Sequence, residues 1–362
     1  MNNSLHHLLK LNSKIIACAF LTLGSGAIRL PHFLQAATVT AQPQFRVKNQ
    51  WNIGGKGGWG FLVLDAPAHR LYIPRTNRVM VIDTRTGKPV GEVEDMKNIR
   101  DVALDDSGKY GYATDVTDGS AGFVRVFDRS TLKLVASIPT GAVPDAIVFD
   151  PSSKSIFVFN SRGHSITIID SASNQVIATI PLSGRPGSAI GDGNGGVFVA
   201  LPALGEIARI DAAAKKVVAY WQLAPCTGPS GLAIDSARYQ LFTTCENHNL
   251  VAVDTETGNV TAVGQVPAGA GDIDFVPKQN LIFVADIDGT LSIFRRESLN
   301  RFTRVQQVKT QTGARTMIVS HQDSRAYLVT SKYGQNTAPT SEELQFRPTP
   351  VPDTFSVIVV GR

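Results

Sequence analysis

Short strands of alternating apolar and polar residues recur along this chain, and the clearest of them end in aspartate. They are Val79-Met80-Val81-Ile82-Asp83, Val124-Arg125-Val126-Phe127-Asp128, Ile166-Thr167-Ile168-Ile169-Asp170, Ile207-Ala208-Arg209-Ile210-Asp211 and Leu250-Val251-Ala252-Val253-Asp254. The aspartates stand 45, 42, 41 and 43 residues apart. Two degenerate copies, Leu291 to Arg295 and Phe355 to Val359, bring the count to seven. A period near 40 to 45 built only of short strands predicts four-stranded propeller blades. The chain is therefore expected to be all-β, a single seven-bladed β-propeller over residues 42–362.

The order within a repeat is constant. An inner strand such as Asp145 to Phe149 leads through a turn to a second strand, Ser155 to Asn160, then to the Asp-terminated third strand and an outer strand. The aspartate side chain is suited to accept hydrogen bonds from amides of its own turn, so the five recurring aspartates are read as turn formers. The last repeat runs out of chain after three strands. Phe45 to Ile53 has the pattern of an outer strand with no blade of its own, and is expected to complete blade seven and close the ring. Ser331 to Asp353 is an insertion in blade seven with four prolines, expected on the channel face as a partial lid or a surface strap.

Composition changes the picture at the N-terminus. Lys10 and Lys14 precede an apolar run, Ile15 to Leu23, and small residues follow, so residues 1–41 read as a signal peptide with cleavage expected between 27 and 41. The apolar run is about half of the roughly 20 residues a membrane span needs. A periplasmic or secreted, monomeric protein is expected. Of the 35 basic residues, Lys10, Lys14 and Arg29 lie in this leader, which has no acid, leaving 32 basic against 30 acidic residues in the remainder. A net charge of +2, with the signs interspersed, argues against a duplex-binding surface.

Export agrees with the cysteines. Cys18 lies in the leader, leaving Cys226 and Cys245 as a pair. Cys226 lies in the loop leading to the inner strand of blade five and Cys245 ends the adjacent antiparallel strand, so a disulfide between them is predicted.

Several patterns carry less than they suggest. Gly55-x-Gly57-x-x-Gly60 matches a dinucleotide motif literally, yet a strand follows it and no helix, so it reads as a flexible lead into blade one. Asp286-Ile287-Asp288-Gly289 resembles the start of a calcium loop without the closing glutamate, and an Asp-Gly hairpin accounts for it. His69, His164, His248 and His321 fall in four different repeats with no metal-binding spacing.

The stretches Leu132 to Asp150, Leu223 to Leu250, Gly313 to Met317 and Val351 to Arg362 resemble the YVTN-type, YncE-like bacterial propellers, over essentially all of residues 45–362. The resemblance implies a seven-bladed fold and export, with no assigned activity for most members. Members commonly read Gly-Gly-Trp-Asp where this chain has Gly57-Gly58-Trp59-Gly60, His-Gly where it has Arg100-Asp101, and Pro-Glu where it has Pro186-Gly187.

Aligning the inner strands by the residue five before the terminal aspartate gives Gly60, Arg100, Asp145, Gly187, Ser230, Asp272 and Arg315, one per blade around the channel mouth. One reading is a structural ion-pair network. The other is a ligand site in which Arg100 and Arg315 hold an anionic group and Asp145 and Asp272 accept hydrogen bonds from its hydroxyls. Trp59, Arg75, Asp101, Asp115, Asn160, Arg162 and Asp286 would complete the pocket. The expected function is non-enzymatic recognition of an unidentified small anionic ligand, peptide or cell-envelope component, with no cofactor. The alternative is a metal-dependent hydrolase of lactonase type, with a divalent metal in the channel held by Asp145, Asn160 and Asp272.

Overall fold

The computed structural model describes residues 44–117, 120–334 and 350–362. Its strands pair into seven four-stranded antiparallel sheets, each formed within one repeat except the last. Blade three shows why. Pro144–Asp150, Ser155–Asn160, Ser165–Asp170 and Gln175–Pro181 pair in that order, each with its neighbour in sequence. Ser155–Asn160 is buried throughout, whereas Gln175–Pro181 is largely exposed. Apolar residues of one sheet meet those of the next: Phe157 and Phe159 of blade three pack with Val197, Val199 and Leu201 of blade four. Burial between neighbouring sheets, not within one, holds the ring together.

The recurring aspartates do what their turns require. The Oδ1 atoms of Asp83, Asp128 and Asp254 each accept the amides two and three residues on, and Asp170 and Asp211 accept from Ser173 and Ala214. These amides hold the Asp128 carboxyl down to about 2, after the Ser130 hydroxyl as the largest cause.

Closure also follows the sequence pattern. Arg46–Asn52 pairs antiparallel with Ser356–Gly361 as the outer strand of blade seven. It reaches both neighbours. Phe45 packs edge-on against Phe283 of blade six at 5.3 Å, and Gln306 bonds both its amide and its carbonyl. Trp51 lies over Gly87 in blade one, where an added Cβ would come within 2.5 Å of the indole. Gly87 also sits at φ 70°, so two constraints select glycine there. Trp221 and Gly258 repeat the arrangement between blades four and five.

The expected signal peptide, residues 1–41, lies outside the described residues, as does the middle of the blade-seven insertion, residues 335–349. Among the described residues no helix is long and apolar enough to cross a membrane.

Candidate functional site

We define the upper face as the one from which the chain enters each inner strand; second strands end on it, because the two run antiparallel. Near this face the inner strands of blades two, three, five and six carry a register shift, between Ile99 and Val102, Pro144 and Ala146, Pro229 and Leu232, and Ala270 and Ile273. Bulges of this kind re-aim side chains and recur beside sites.

The strand register revises the alignment of the ring. Asp150 pairs with Ser155 and Asp235 with Gln240, and the equivalent pair in blade six is Val276 with Leu281. Val276 thus takes the place of the terminal aspartate, and Pro277 begins a short 3-10 turn, Pro277–Gln279. Gly271, not Asp272, is the counterpart of Arg100, Asp145 and Arg315. Asp272 lies one residue further along, level with Asp101.

The cross-blade bonds agree. The amides of Phe61 and Asp272 donate to the carbonyls of Arg100 and Arg315 in the next blade, at 3.0 Å each. Gly60 and Gly271 are hydrogen-only positions for the same reason: an added Cβ would lie 1.9 Å from the Arg100 oxygen and 2.5 Å from the Arg315 oxygen. Glycine at position 60 is therefore imposed by this backbone.

Asp101 and Asp272 play matching parts. Asp101 accepts from the amides of Val102 and, in the next blade, Ile147, at 2.8 and 3.1 Å. Asp272 accepts from Met317 of the next blade at 2.9 Å. Asp274, two residues deeper, accepts from Val319 and pairs with His321 at 2.9 Å. Burial pushes the Asp101 carboxyl up to about 7, its two amide bonds opposing and the charges of Asp145 and Asp272 adding. Asp272 rises to about 6 through burial, with the Met317 amide and Arg315 pulling it down.

Asp145 and Arg315 differ. Asp145 is half-buried and Arg315 exposed, and neither has a hydrogen bond or ion pair from its side chain. Arg100, at the equivalent position of blade two, is half-buried.

Four residues expected on the pocket wall are instead fully buried. Arg75, Asp115, Asn160 and Asp286 occupy one recurring position, the upper end of the second strand, and each fixes a nearby loop. The Arg75 guanidinium donates to the carbonyls of Gly54, Lys56, Gly57 and Gly58 and stacks 3.8 Å over the Phe355 ring. The glycine-rich lead into blade one is thereby pinned, against the flexibility expected of it, and burial lowers Arg75 to about 10. Asp115 accepts from the amides of Lys97 and Asn98 and from Arg125, each at 2.9 Å. Asn160 donates to Ser165 and Thr167. Asp286 accepts from the Thr290 amide and hydroxyl, closing the Asp-Gly turn, and burial together with Asp288 raises it to about 7. In blade five the same position is covalent: Cys245 is bonded to Cys226 with the Cα atoms 5.5 Å apart.

Trp59 sits at the seam between blades one and seven, its indole donating to the Thr316 hydroxyl at 3.3 Å and its ring 5.4 Å from Phe355. Arg162 lies on the turn after Asn160 and lines a separate cleft with Arg185 and His164. Tyr333 was not legible as a site residue. It stands at the root of the insertion, bridged to Pro350, and packs on Gly313, where an added Cβ would come within 2.4 Å of its ring. Its phenol is raised by burial, with the Thr330 hydroxyl and Arg315 opposing. Among the described residues no three His, Cys, Asp or Glu side chains are grouped to hold a metal ion.

No known family's sequence pattern matches the chain, and no curated protein matches its sequence. Solved structures match its fold. The WD40 repeats of RRP9 superpose with a TM-score of 0.70 at 8% identity, covering 87% of this chain and 97% of that one. A chain of the mitotic checkpoint complex gives 0.70 at 12% identity over 97% and 99%. A chain of Kuenenia stuttgartiensis hydrazine synthase gives 0.64 at 18% identity over 75% and 92%. These likenesses concern the propeller architecture alone.

Proposed function

We propose that this chain is an exported, periplasmic or secreted, YncE-like binding propeller that recognises a small anionic, hydroxyl-bearing ligand at the upper mouth of its channel, without catalysis. One observation carries the reading: the ring divides its charges into two kinds. Asp101 and Asp272 accept amides of the next blade, as scaffolding carboxylates do. Asp145 and Arg315 stand at the mouth with no hydrogen bond or ion pair from their side chains. Partly or fully exposed to solvent and unengaged through their side chains, these two charges are open to a ligand of matching charge and hydrogen-bonding groups. Arg315, with Arg100 at the equivalent position of blade two, would grip the anionic group, since a guanidinium matches a carboxylate or phosphate in two parallel bonds. Asp145 would accept from hydroxyls, and the Tyr333 ring would form one wall.

Glucuronate, with a carboxylate and several hydroxyls, is a suitable probe for calorimetric titration. Arg315→Ala and Asp145→Ala should each weaken binding at least about tenfold, one lost charged hydrogen bond, while the melting temperature stays near that of the unaltered protein. A large fall in melting temperature with unchanged binding would make these residues scaffolding.

A further inference from the structure

We propose that the lower face of blades five to seven docks the propeller on an anionic lipid bilayer, its exposed cations meeting the headgroups while Leu299 and Tyr239 enter the interfacial layer. The proposal stands apart from the channel reading, whose site lies on the upper face. Third strands end and outer strands begin on the lower face. In blade six this end is built differently. Leu281 pairs with Arg295 where the equivalent pair in blade five is Gln240 with Asp254, so Arg295 takes the place of a turn-forming aspartate. The third strand, Thr290–Ser298, continues past it before Arg301–Lys309 turns back. At 9 residues each, these two strands exceed the other third and outer strands, which have 5 to 7.

The extended hairpin is anchored at its base and apolar at its tip. Arg296 is buried, pairs with Asp235 of blade five at 2.7 Å, and donates to Gln240 and Asn280 at 3.1 and 2.7 Å. Gln240 in turn donates to the Leu299 carbonyl at 2.6 Å. With its backbone held in this way, Leu299 stays 49% exposed, and Tyr239, next to Gln240 in blade five, is 55% exposed. Two large apolar groups thus stand close together on one face. Leucine gains free energy on leaving water for lipid, and tyrosine, with an apolar body and a polar tip, favours the headgroup level.

The charges on this face select the sign of the partner. Arg295 and Arg304 flank the hairpin of blade six, and Arg46, Lys48, Arg325 and Arg362 gather at the lower end of blade seven; all six are exposed. Arg46 pairs with Gly361, where an added Cβ would lie 3.5 Å from Arg325 Cγ and 3.6 Å from Lys48 Cγ, and Arg362 lies 4.7 Å over the Phe45 ring. The acids of these segments, Glu297 and Asp323, are each paired, with Arg301 at 2.8 Å and Arg325 at 3.3 Å. The side chains of Arg46, Lys48, Arg295 and Arg304 make no hydrogen bond or ion pair among the described residues. Cations on long, unconstrained side chains, spread over an open face beside two apolar groups, suit the mobile charges of lipid headgroups better than the fixed groups of a folded partner.

The test uses residues 42–362, which hold all seven blades and the closing strand, sedimented with vesicles of phosphatidylglycerol and phosphatidylcholine in equal parts, or of phosphatidylcholine alone. The protein should sediment with the anionic vesicles at about 0.05 M salt, be released at about 0.5 M, and stay in solution with phosphatidylcholine alone. The triple variant Arg46→Gln, Lys48→Gln, Arg304→Gln should weaken binding at least about tenfold and Leu299→Ser at least about threefold, whereas Arg185→Gln, on the upper face, should leave it unchanged. Melting temperatures near that of the unaltered protein show that the variants are folded. Leu299→Trp should bind at least as well, and its added indole emission should move to shorter wavelength with anionic vesicles. Absence of binding to anionic vesicles overturns the proposal. Binding that needs the cations but is indifferent to Leu299→Ser and leaves the Leu299→Trp emission unmoved would make this a surface for soluble polyanions, and overturns it too. The channel reading is judged separately, by glucuronate titration, which the lower-face variants should not alter.

Discussion

The carboxyl of Asp101 makes the stability of this ring depend on pH in the direction opposite to that of an ordinary surface aspartate. Its native pKa is raised from 3.8 to about 7, chiefly by burial. The folded state thus holds a proton that the unfolded chain releases. A group of this kind contributes stability that is fully present below the unfolded value and is lost as pH rises through the folded one. Linkage gives a contribution of about 2.7 kcal/mol at pH 5 and nearly none at pH 8. At about 2.1 cal/mol/K per residue, a propeller of this size has an unfolding entropy of about 0.7 kcal/mol/K, so Asp101 alone should lower the melting temperature by about 4 °C between pH 5 and pH 8. Asp272, raised to about 6, adds in the same direction. Asp101→Asn removes the titration and keeps the shape. Its carboxamide has one acceptor where the carboxylate has two, so the variant starts from a lower stability through loss of the Val102 or Ile147 bond. The diagnostic quantity is therefore the change with pH, read from thermal melts of both proteins at pH 5 and pH 8. The unaltered protein should lose about 4 °C more than the variant over that interval. Parallel losses in the two proteins would refute the assignment of a raised pKa to Asp101.

Three further outcomes follow from the packing. Alkylation and peptide mass spectrometry should find Cys226 and Cys245 blocked until reduction, and replacing both by serine should cost about 3 kcal/mol for a crosslink spanning 19 residues; labelling of either cysteine without reduction would refute the bond. Gly60→Ala should destabilise by about 3 kcal/mol or more, measured by urea unfolding, because its Cβ meets backbone atoms of Arg100 that have no room to retreat; a change below about 1 kcal/mol would mean that blades one and two are less closely apposed than described. Gly87→Ala should cost about 1 to 3 kcal/mol through the Trp51 indole and expose Arg46 and Lys48 to trypsin sooner; unchanged digestion would separate Trp51 from ring closure.

The sequence by itself determined what depends on neighbours along the chain. Alternation of apolar residues marks strands because side chains of a strand point to opposite faces in turn, and Asp83, Asp128, Asp170, Asp211 and Asp254 mark turns because each bonds amides two or three residues away. The unpaired pattern of Phe45 to Ile53 announced the closing strand, and antiparallel pairing within one repeat was enough to bring Cys226 to Cys245. The site was legible only as a set of charged residue types. Where blade six departs from the repeat, Val276 and Pro277 shift the apparent register by one, and only the pairing of Val276 with Leu281 shows that Asp272 is level with Asp101. Arg75, Asp115, Asn160 and Asp286 read as pocket residues because nothing local tells a buried loop anchor from an exposed ligand group; their burial comes from loops folding over them. Tertiary structure also decided which charges are engaged. Asp101 meets Ile147 46 residues away, Asp272 meets Met317 45 residues away, and the cleft that joins Arg162 to Arg185 exists only where two blades adjoin. Contacts between blades depend on how whole sheets stack around an axis, and no local pattern of residues encodes that distance.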